Sequence, residues 1–360
     1  MMHDNDSSSV VVGIDTHADS HHVAVITNYG RPLVDVMVPA TASGYREALA
    51  LVGEYSQVDK VGIECTGSYG AGITREFLDA GYSVVEVNQP NRFDRRRRGK
   101  TDQFDAYAAA EAVLSGRATA MPKGNDGLVE SLRVLRTTRS SAVRDRTATI
   151  NQIRAMLVSA PEPLRQKYRG LTTSRLVAAL AATRPPAQPV TAAESTAVCL
   201  RHLARRYKFL DEQVADLLRQ ITRLLDDHAP ALMGVYGAGP DSAAQLLITA
   251  GDNPERMRSE RHFAALAGAS PIPASSGKTN RYRLNRGGDR QANSALHHIV
   301  LVRMHYETRT REYVERRIAE GKTKREIMRC LKRYVAREVF PVLRSTLEPN
   351  LGTQTLDTAI

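Results

Sequence analysis

Val10-Val11-Val12-Gly13-Ile14-Asp15 is an apolar run, interrupted by one glycine, that ends in a carboxylate. Val61-Gly62-Ile63-Glu64 repeats the pattern. Short β-branched runs with polar ends read as strands, so both acids fall at strand ends. Around them, strand-like runs at Val10 to Thr16, His22 to Thr27 and Leu33 to Val38 precede a helix-periodic Ala42 to Tyr55 and a short strand at Lys60 to Glu64. Tyr69 to Ala80 is again helical, Tyr82 to Asn88 is a strand, and a helix from about Asp102 to Ser115 follows. Three strands and then alternating helix and strand predict a mixed sheet with helices on its faces, the layout of a ribonuclease-H-like α/β domain.

Two further acids open the closing helix, in Lys100-Thr101-Asp102-Gln103-Phe104-Asp105-Ala106. Their i, i+3 spacing puts Asp102 and Asp105 on one face. Singly, each acid has a plain explanation: a turn or helix cap, a solvated strand end, an ordinary first-turn residue. Jointly, Asp15, Glu64, Asp102 and Asp105 predict a metal centre, because hard cations such as Mg²⁺ or Mn²⁺ take oxygen ligands and stabilise the oxygens exchanged in phosphoryl transfer.

The chain has 360 residues, enough for two or three domains, with 42% hydrophobic and 25% charged residues as in ordinary globular proteins. A net charge of +11 and a pI near 9.7 point to a polyanionic partner, by default nucleic acid. No apolar run has membrane-spanning length and Met1 to Ser9 is polar, so the expectation is a cytoplasmic, nucleoid-associated protein with no membrane partner. Cys65, Cys199 and Cys330 have no metal-ligand or disulfide spacing. His17, His21 and His22 form a local cluster, but the alternation around them reads as a strand, which disfavours a histidine metal site.

Beyond Gly116 strand signals fade. Leu128 to Ala160 is a basic helix, Pro185, Pro186 and Pro189 mark a breaker, and Leu200, Leu203, Tyr207, Leu210, Val214, Leu217, Ile221 and Leu224 follow at heptad a/d steps. This seam suits either packing against the Leu128 to Ala160 helix or, as the favoured expectation, a coiled coil joining subunits. Val235-Tyr236-Gly237-Ala238-Gly239-Pro240 reads as a turn between helices, with a phosphate-gripping hairpin as the other option. The expected domains are therefore 1–125, an α/β catalytic unit; 126–230, helical and coiled coil; 231–345, mainly α-helical; and 346–360, a tail.

Two basic regions carry further expectations. Arg95, Arg96, Arg97, Arg98 and Lys100 abut Asp102 and read as a phosphate-gripping loop. Downstream, Ala274-Ser275-Ser276-Gly277-Lys278-Thr279 precedes Arg281, Arg283, Arg286 and Arg290, cations suited to neutralising a phosphate. A nucleotide-binding P-loop is excluded, since Ile272 stands where that motif needs glycine. On composition alone Ser276 is a turn residue.

Taken together, Gly13-Ile14-Asp15-Thr16, Ile63-Glu64-Cys65-Thr66-Gly67-Ser68-Tyr69 and the Lys100 to Ala106 stretch match an N-terminal signature, and Gly237-Ala238-Gly239, Phe263 to Gly268, Ser276-Gly277 and Arg286-Gly287-Gly288 a C-terminal one. The chain resembles, over nearly its whole length, the DEDD transposases of bacterial insertion sequences, the insertion sequence 110 or Piv/MooV-like family. The resemblance implies a RuvC-like metal centre of Asp15, Glu64, Asp102 and Asp105, and Ser276 as nucleophile; a one-residue loop shift would exchange it for Ser275. It also implies donor and target DNA as substrates, a structured guide RNA, and a homo-oligomer, dimer or tetramer. The expected function is a transposase or site-specific recombinase. The rivals are a Holliday-junction-resolvase-like, metal-dependent endonuclease and a non-catalytic nucleic-acid-binding protein.

Overall fold

The computed structural model describes residues 9–87, 101–122, 127–251, 257–274, 282–283 and 285–351. It divides into two compact units, residues 1–125 and 126–360.

The first unit is a five-stranded sheet of order β3-β2-β1-β4-β5. Its strands are β1 (Val10–Thr16), β2 (Ser20–Thr27), β3 (Pro32–Pro39), β4 (Val58–Glu64) and β5 (Val84–Val87). β1–β2 and β2–β3 are antiparallel, whereas β1–β4 and β4–β5 are parallel. Helices α1 (Ala42–Gly53) and α2 (Ala71–Asp79) interleave with the strands, and α3 (Asp102–Leu114) follows. Tyr69 and Gly70 stay outside α2, because their segment is folded into a turn whose Gly70 N–H donates to the Cys65 carbonyl.

The period-2 alternation of β1 divides its side chains between two cores. Val10, Val12 and Ile14 join Ala48 and Val52 of α1 and Ile73 and Phe77 of α2 on one face. Val11 joins Ala109, Ala110 and Val113 of α3 on the other. Gly13 lies on the α3 face, and its lack of a side chain lets that helix press onto the strand: a Cβ there would fall 2.2 Å from the Ala106 carbonyl oxygen. Gly62 repeats the device on β4, where a Cβ would meet Val113 at 2.3 Å. Gly13 pairs with Gly62 and Ile14 with Ile63 across the parallel register. Each Gly-Ile-acid triplet thus places a glycine under α3, an isoleucine in the opposite core and a carboxylate at the strand end.

The second unit is helical. α4 (Gly127–Ser159) and α7 (Ala192–His228) run side by side, with α5 (Glu162–Tyr168) and α6 (Thr173–Ala181) between them in sequence. They are antiparallel: Leu132 shares a core with Ile221 and Leu225, Ala142 with Leu210 and Val214, and Ile150 and Ile153 with Leu200 and Ala204. Much of the heptad seam is therefore taken up inside the subunit, the first of the two readings. α7 starts in a capping box, Thr191 accepting from the Glu194 N–H while the Glu194 carboxylate accepts from the Thr191 N–H.

The remaining elements are α8 (Pro230–Met233), α9 (Pro240–Gly251), α10 (Glu260–Leu266), the hairpin β6 (Ile272–Pro273) and β7 (Tyr282–Arg283), α11 (Arg290–Tyr306), α12 (Thr308–Ala319) and α13 (Lys324–Leu351). Their main core contains Leu132 of α4 and Ile221 and Leu225 of α7 with Phe263, Leu296, Ile299, Val335 and Val339, so the 230/231 boundary crosses one shared core. α13 likewise runs through the expected 345/346 boundary. Gly237 adopts φ +84° in the α8–α9 turn, backed by Ile299 and Arg303.

Candidate active site

Asp15 and Glu64 end neighbouring parallel strands, and both are buried. The paired register runs through Gly13–Gly62 and Ile14–Ile63, and one step further sets these acids side by side. Thr16 ties the two strand ends together, its hydroxyl donating to the Glu64 carbonyl at 3.1 Å. Immediately beyond Glu64, Cys65 holds φ +51°, a left-handed conformation uncommon outside glycine, stabilised by the Ser68 and Gly70 N–H groups donating to its carbonyl. Gly70 is needed there, since a Cβ would approach the Glu64 carbonyl oxygen to 2.5 Å.

α3 delivers the other two acids in its first turn, where Thr101 caps the helix by accepting from the Phe104 N–H and the helix dipole favours negative charge. Asp105 is buried and Asp102 half exposed. Burial pushes the Asp15 carboxyl up; nearby His17 opposes that rise, and the Asp105 and Asp102 carboxylates reinforce it. Asp105 and Asp102 are thus electrostatic neighbours of Asp15.

His17 completes the cluster. Its Nε2 lies 3.2 Å from Asp15 Oδ2 and 3.2 Å from Asp102 Oδ1, and one ligand atom from each of the three falls within 4.8 Å of the others. Asp15 Oδ2 is buried and accepts no hydrogen bond, its near polar neighbour being the His17 ring nitrogen. A buried carboxylate oxygen in that condition, amid further acids, fits a hard cation. The sequence grouping of His17 with His21 and His22 dissolves: His21 is buried and stacks on Tyr45 with ring centroids 5.6 Å apart, and burial pushes its imidazole pKa down. The signal for His17 was its place two residues past Asp15, on the same side of an extended chain.

Sequence reading missed Asp35 entirely. This β3 carboxylate accepts from Gln103 at 2.8 Å and Tyr107 at 3.0 Å, both on α3, and pairs with His22 of β2 at 2.7 Å. Burial alone would push Asp35 up, but the hydrogen bonds from Gln103, His22 and Tyr107 outweigh it and hold the carboxyl below its ordinary value. Tyr107 is in turn pushed up to about 12 by burial and by Asp35. Gln103 lies between the two α3 acids, so this cluster fixes the helix turn that carries them.

Of the cationic residues expected to touch phosphate, Arg283 lies on β7, Arg286 just before α11 and Arg290 at its first position, all exposed. Arg95, Arg96, Arg97, Arg98, Lys100, Ser275, Ser276, Lys278 and Arg281 lie outside the described residues. The flanks of the serine segment are described. Gly268 and Gly288 cross so closely that a Cβ on Gly288 would fall 2.3 Å from the Gly268 nitrogen. Asn285 and Asn293 donate to the Ala265 and Ala267 carbonyls at 3.2 and 2.9 Å, and Asp289 caps α11.

Comparison with known sequences agrees with both halves. A model of a DEDD transposase family, described as transposase, matches residues 12–160, and one for the transposase IS116/IS110/IS902 family matches residues 229–315. The IS110 insertion-element 43.6 kDa protein of Streptomyces coelicolor is 25% identical over 95% of this chain and 96% of its own length. The mini-circle putative transposase for IS117 from the same organism is 24% identical over 76% of this chain and 79% of its own. A probable family 20 transposase of Pseudomonas aeruginosa is 30% identical over 62% of this chain and 65% of its own. A mixed α/β unit that gathers carboxylates, joined in sequence to a helical unit with matching transposase motifs, defines a transposase. The chain belongs to the IS110 family of transposases. Among the described residues, no helix is long and apolar enough to cross a membrane.

Proposed function

We propose that the chain cleaves and rejoins DNA strands through a divalent cation, Mg²⁺ or Mn²⁺, held by Asp15, Glu64, Asp102 and Asp105, with Ser276 as the nucleophile. The observation that carries the reading is the cluster at Asp15: a buried carboxylate at a strand end, with one ligand atom each from Asp15, His17 and Asp102 within 4.8 Å of one another. The strand order β3-β2-β1-β4-β5, with its antiparallel and parallel halves, supports reading residues 1–125 as a ribonuclease-H-like, RuvC-like unit. A cation there supplies charge neutralisation at the scissile phosphate.

The chain's own residues do the rest. The Ser276 hydroxyl forms a bond to phosphorus while the bond to the DNA 3′ oxygen breaks; the proton lost by serine balances the one gained by the departing 3′-OH. The phosphodiester energy is kept in the protein–DNA ester, so a 3′-OH can later reverse the attack without an external energy source. Arg283, Arg286 and Arg290, with Lys278 and Arg281, offset the negative charge of the transition state, while Arg95 to Arg98 and Lys100 grip the backbone near Asp102. By family resemblance the working assembly is a homo-oligomer with a structured guide RNA, acting on donor and target DNA in the bacterial cytoplasm.

Labelled DNA on denaturing gels tests this reading. Asp105→Ala should abolish cleavage while leaving most DNA affinity, since affinity resides in Lys and Arg. Ser276→Ala should abolish the protease-sensitive shifted band, which Ser275→Ala retains. Wild-type cleavage by Asp105→Ala refutes the metal centre, and cleavage with no adduct in the wild type identifies a resolvase-like endonuclease.

A further inference from the structure

The second unit contains a cavity of about 740 Å³ between the β6–β7 hairpin, the Gly268–Pro271 segment and α13. Lys332 of α13 lines it and is buried to 7% exposure. Its Nζ donates to Asn293 Oδ1 at 2.8 Å, and no carboxylate pairs with it among the described residues. An ammonium has three donors and a full charge, and a charge taken out of water needs a counter-charge; a neutral amide supplies none. Burial, and then Arg329, push the Lys332 pKa down.

Further cations line the cavity. Arg283, Lys322 and Arg329 border the cavity, and none forms an ion pair with a described residue. Arg333 is neutralised by Glu260. The acid among the described lining residues, Glu326, accepts from the Thr323 N–H and hydroxyl at 2.9 and 2.8 Å at the start of α13; those bonds first, and then Lys322 and Arg329, hold its carboxyl below the ordinary value, so this one acid faces two of the cations. Two aromatic rings complete the wall, Tyr282 at 63% and Tyr334 at 49% exposure. Cations beside accessible rings are the combination that holds single-stranded nucleic acid, phosphate on charge and base on ring, and the volume lies within the range of sites that enclose a small ligand.

We propose that this cavity takes one unpaired nucleotide of a nucleic-acid strand, its phosphate against Lys332 and Arg329 and its base against Tyr282 or Tyr334. The site deepens the nucleic-acid reading above but depends on neither the carboxylate centre nor Ser276. An anion there supplies the counter-charge that Lys332 lacks, and a base on the tyrosines selects a strand over free phosphate. DNA and RNA offer the same phosphate and base faces and differ at the 2′-OH.

The test is fluorescence anisotropy of the full chain in a chelator, with labelled hexamers of thymidine and of uridine, over a range of salt. Lys332→Met should fold with an undiminished melting temperature, because it removes a buried unpaired charge, yet bind both hexamers about tenfold more weakly, with a salt slope shallower by about 0.7. Arg329→Gln should repeat the slope change. Tyr282→Ala with Tyr334→Ala should weaken binding about tenfold without changing the slope. Should Lys332→Met fail to fold, the exposed Arg329 and Tyr282 carry the test. Preference for either hexamer supports the site and identifies its strand. The proposal is overturned if Lys332→Met and Arg329→Gln weaken binding no more than Arg175→Gln, an exposed position on α6, or if an acidic peptide competes as well as the hexamers. Because cleavage is off in the chelator, Asp105→Ala should bind like wild type, so failure of the metal centre and failure of this site are separable.

Discussion

Replacing Gly13 with alanine adds one methyl group beneath α3. The new Cβ would sit 2.2 Å from the Ala106 carbonyl oxygen, 2.3 Å from the Ala110 nitrogen and 2.9 Å from the Ala110 Cα. All three are helix backbone, so no side-chain rotation relieves the clash. Restoring van der Waals separation moves α3 outward by about 1 Å. Overpacking of this kind costs about 1–3 kcal/mol, and the helix that moves carries Asp102 and Asp105 past Asp15. A displacement of about 1 Å at reacting groups lowers rates by about 100-fold. Urea unfolding and strand-cleavage kinetics of Gly13→Ala measure both effects. Gly67→Ala, where a Cβ meets nothing within 4 Å, is the matched control and should behave as wild type. If Gly13→Ala keeps its urea midpoint and its cleavage rate, close contact between β1 and α3 is not what aligns the acids.

Asp35→Asn should destabilise the first unit by about 1–3 kcal/mol at neutral pH, because charge-assisted bonds to His22, Gln103 and Tyr107 are weakened. Since the folded Asp35 carboxyl titrates below its unfolded value, its stabilisation is present above the unfolded pKa and is lost as pH falls through the folded one; the variant's acid unfolding curve should be flatter there. Leu210→Glu introduces a charge opposite Ala142 inside the α4–α7 pair, so circular dichroism should record loss of helicity and a lower melting temperature. Light scattering supplies the contrary result: a drop in mass with helicity intact would make the seam an intersubunit contact.

The acids were legible in sequence because each sits at a local boundary, two at strand ends and two in a helix's first turn, and local boundaries leave local signals. The glycines of the Gly-Ile-acid triplets were legible as motif but not as cause, since their partner α3 begins only at Asp102, 40 residues after Gly62. His17 was grouped with its neighbours in sequence, although the turn between β1 and β2 separates it from His21, which pairs with Thr16 rather than lying on the Asp15 side. Asp35 and Lys332 left no signal: an acid on an edge strand and a lysine in a basic helix are ordinary until tertiary packing surrounds them. The heptad seam was plain, but periodicity specifies an apolar stripe and not the chain that covers it.

The antiparallel pairing of α4 and α7 makes the middle of the chain a rigid ruler. Leu132 is anchored in the large C-terminal core, and Ile153 in a separate small core with Tyr168, Leu176, Val177 and Leu180. At 1.5 Å per residue those anchors stand about 30 Å apart along α4. Length in such a hairpin is quantised: removing one heptad from each helix keeps every apolar residue facing its partner while drawing the tip inward by about 10 Å. Family members that have gained or lost matched heptads would keep both cores and differ only in reach, which makes helix length a dial that evolution can turn without rebuilding either end.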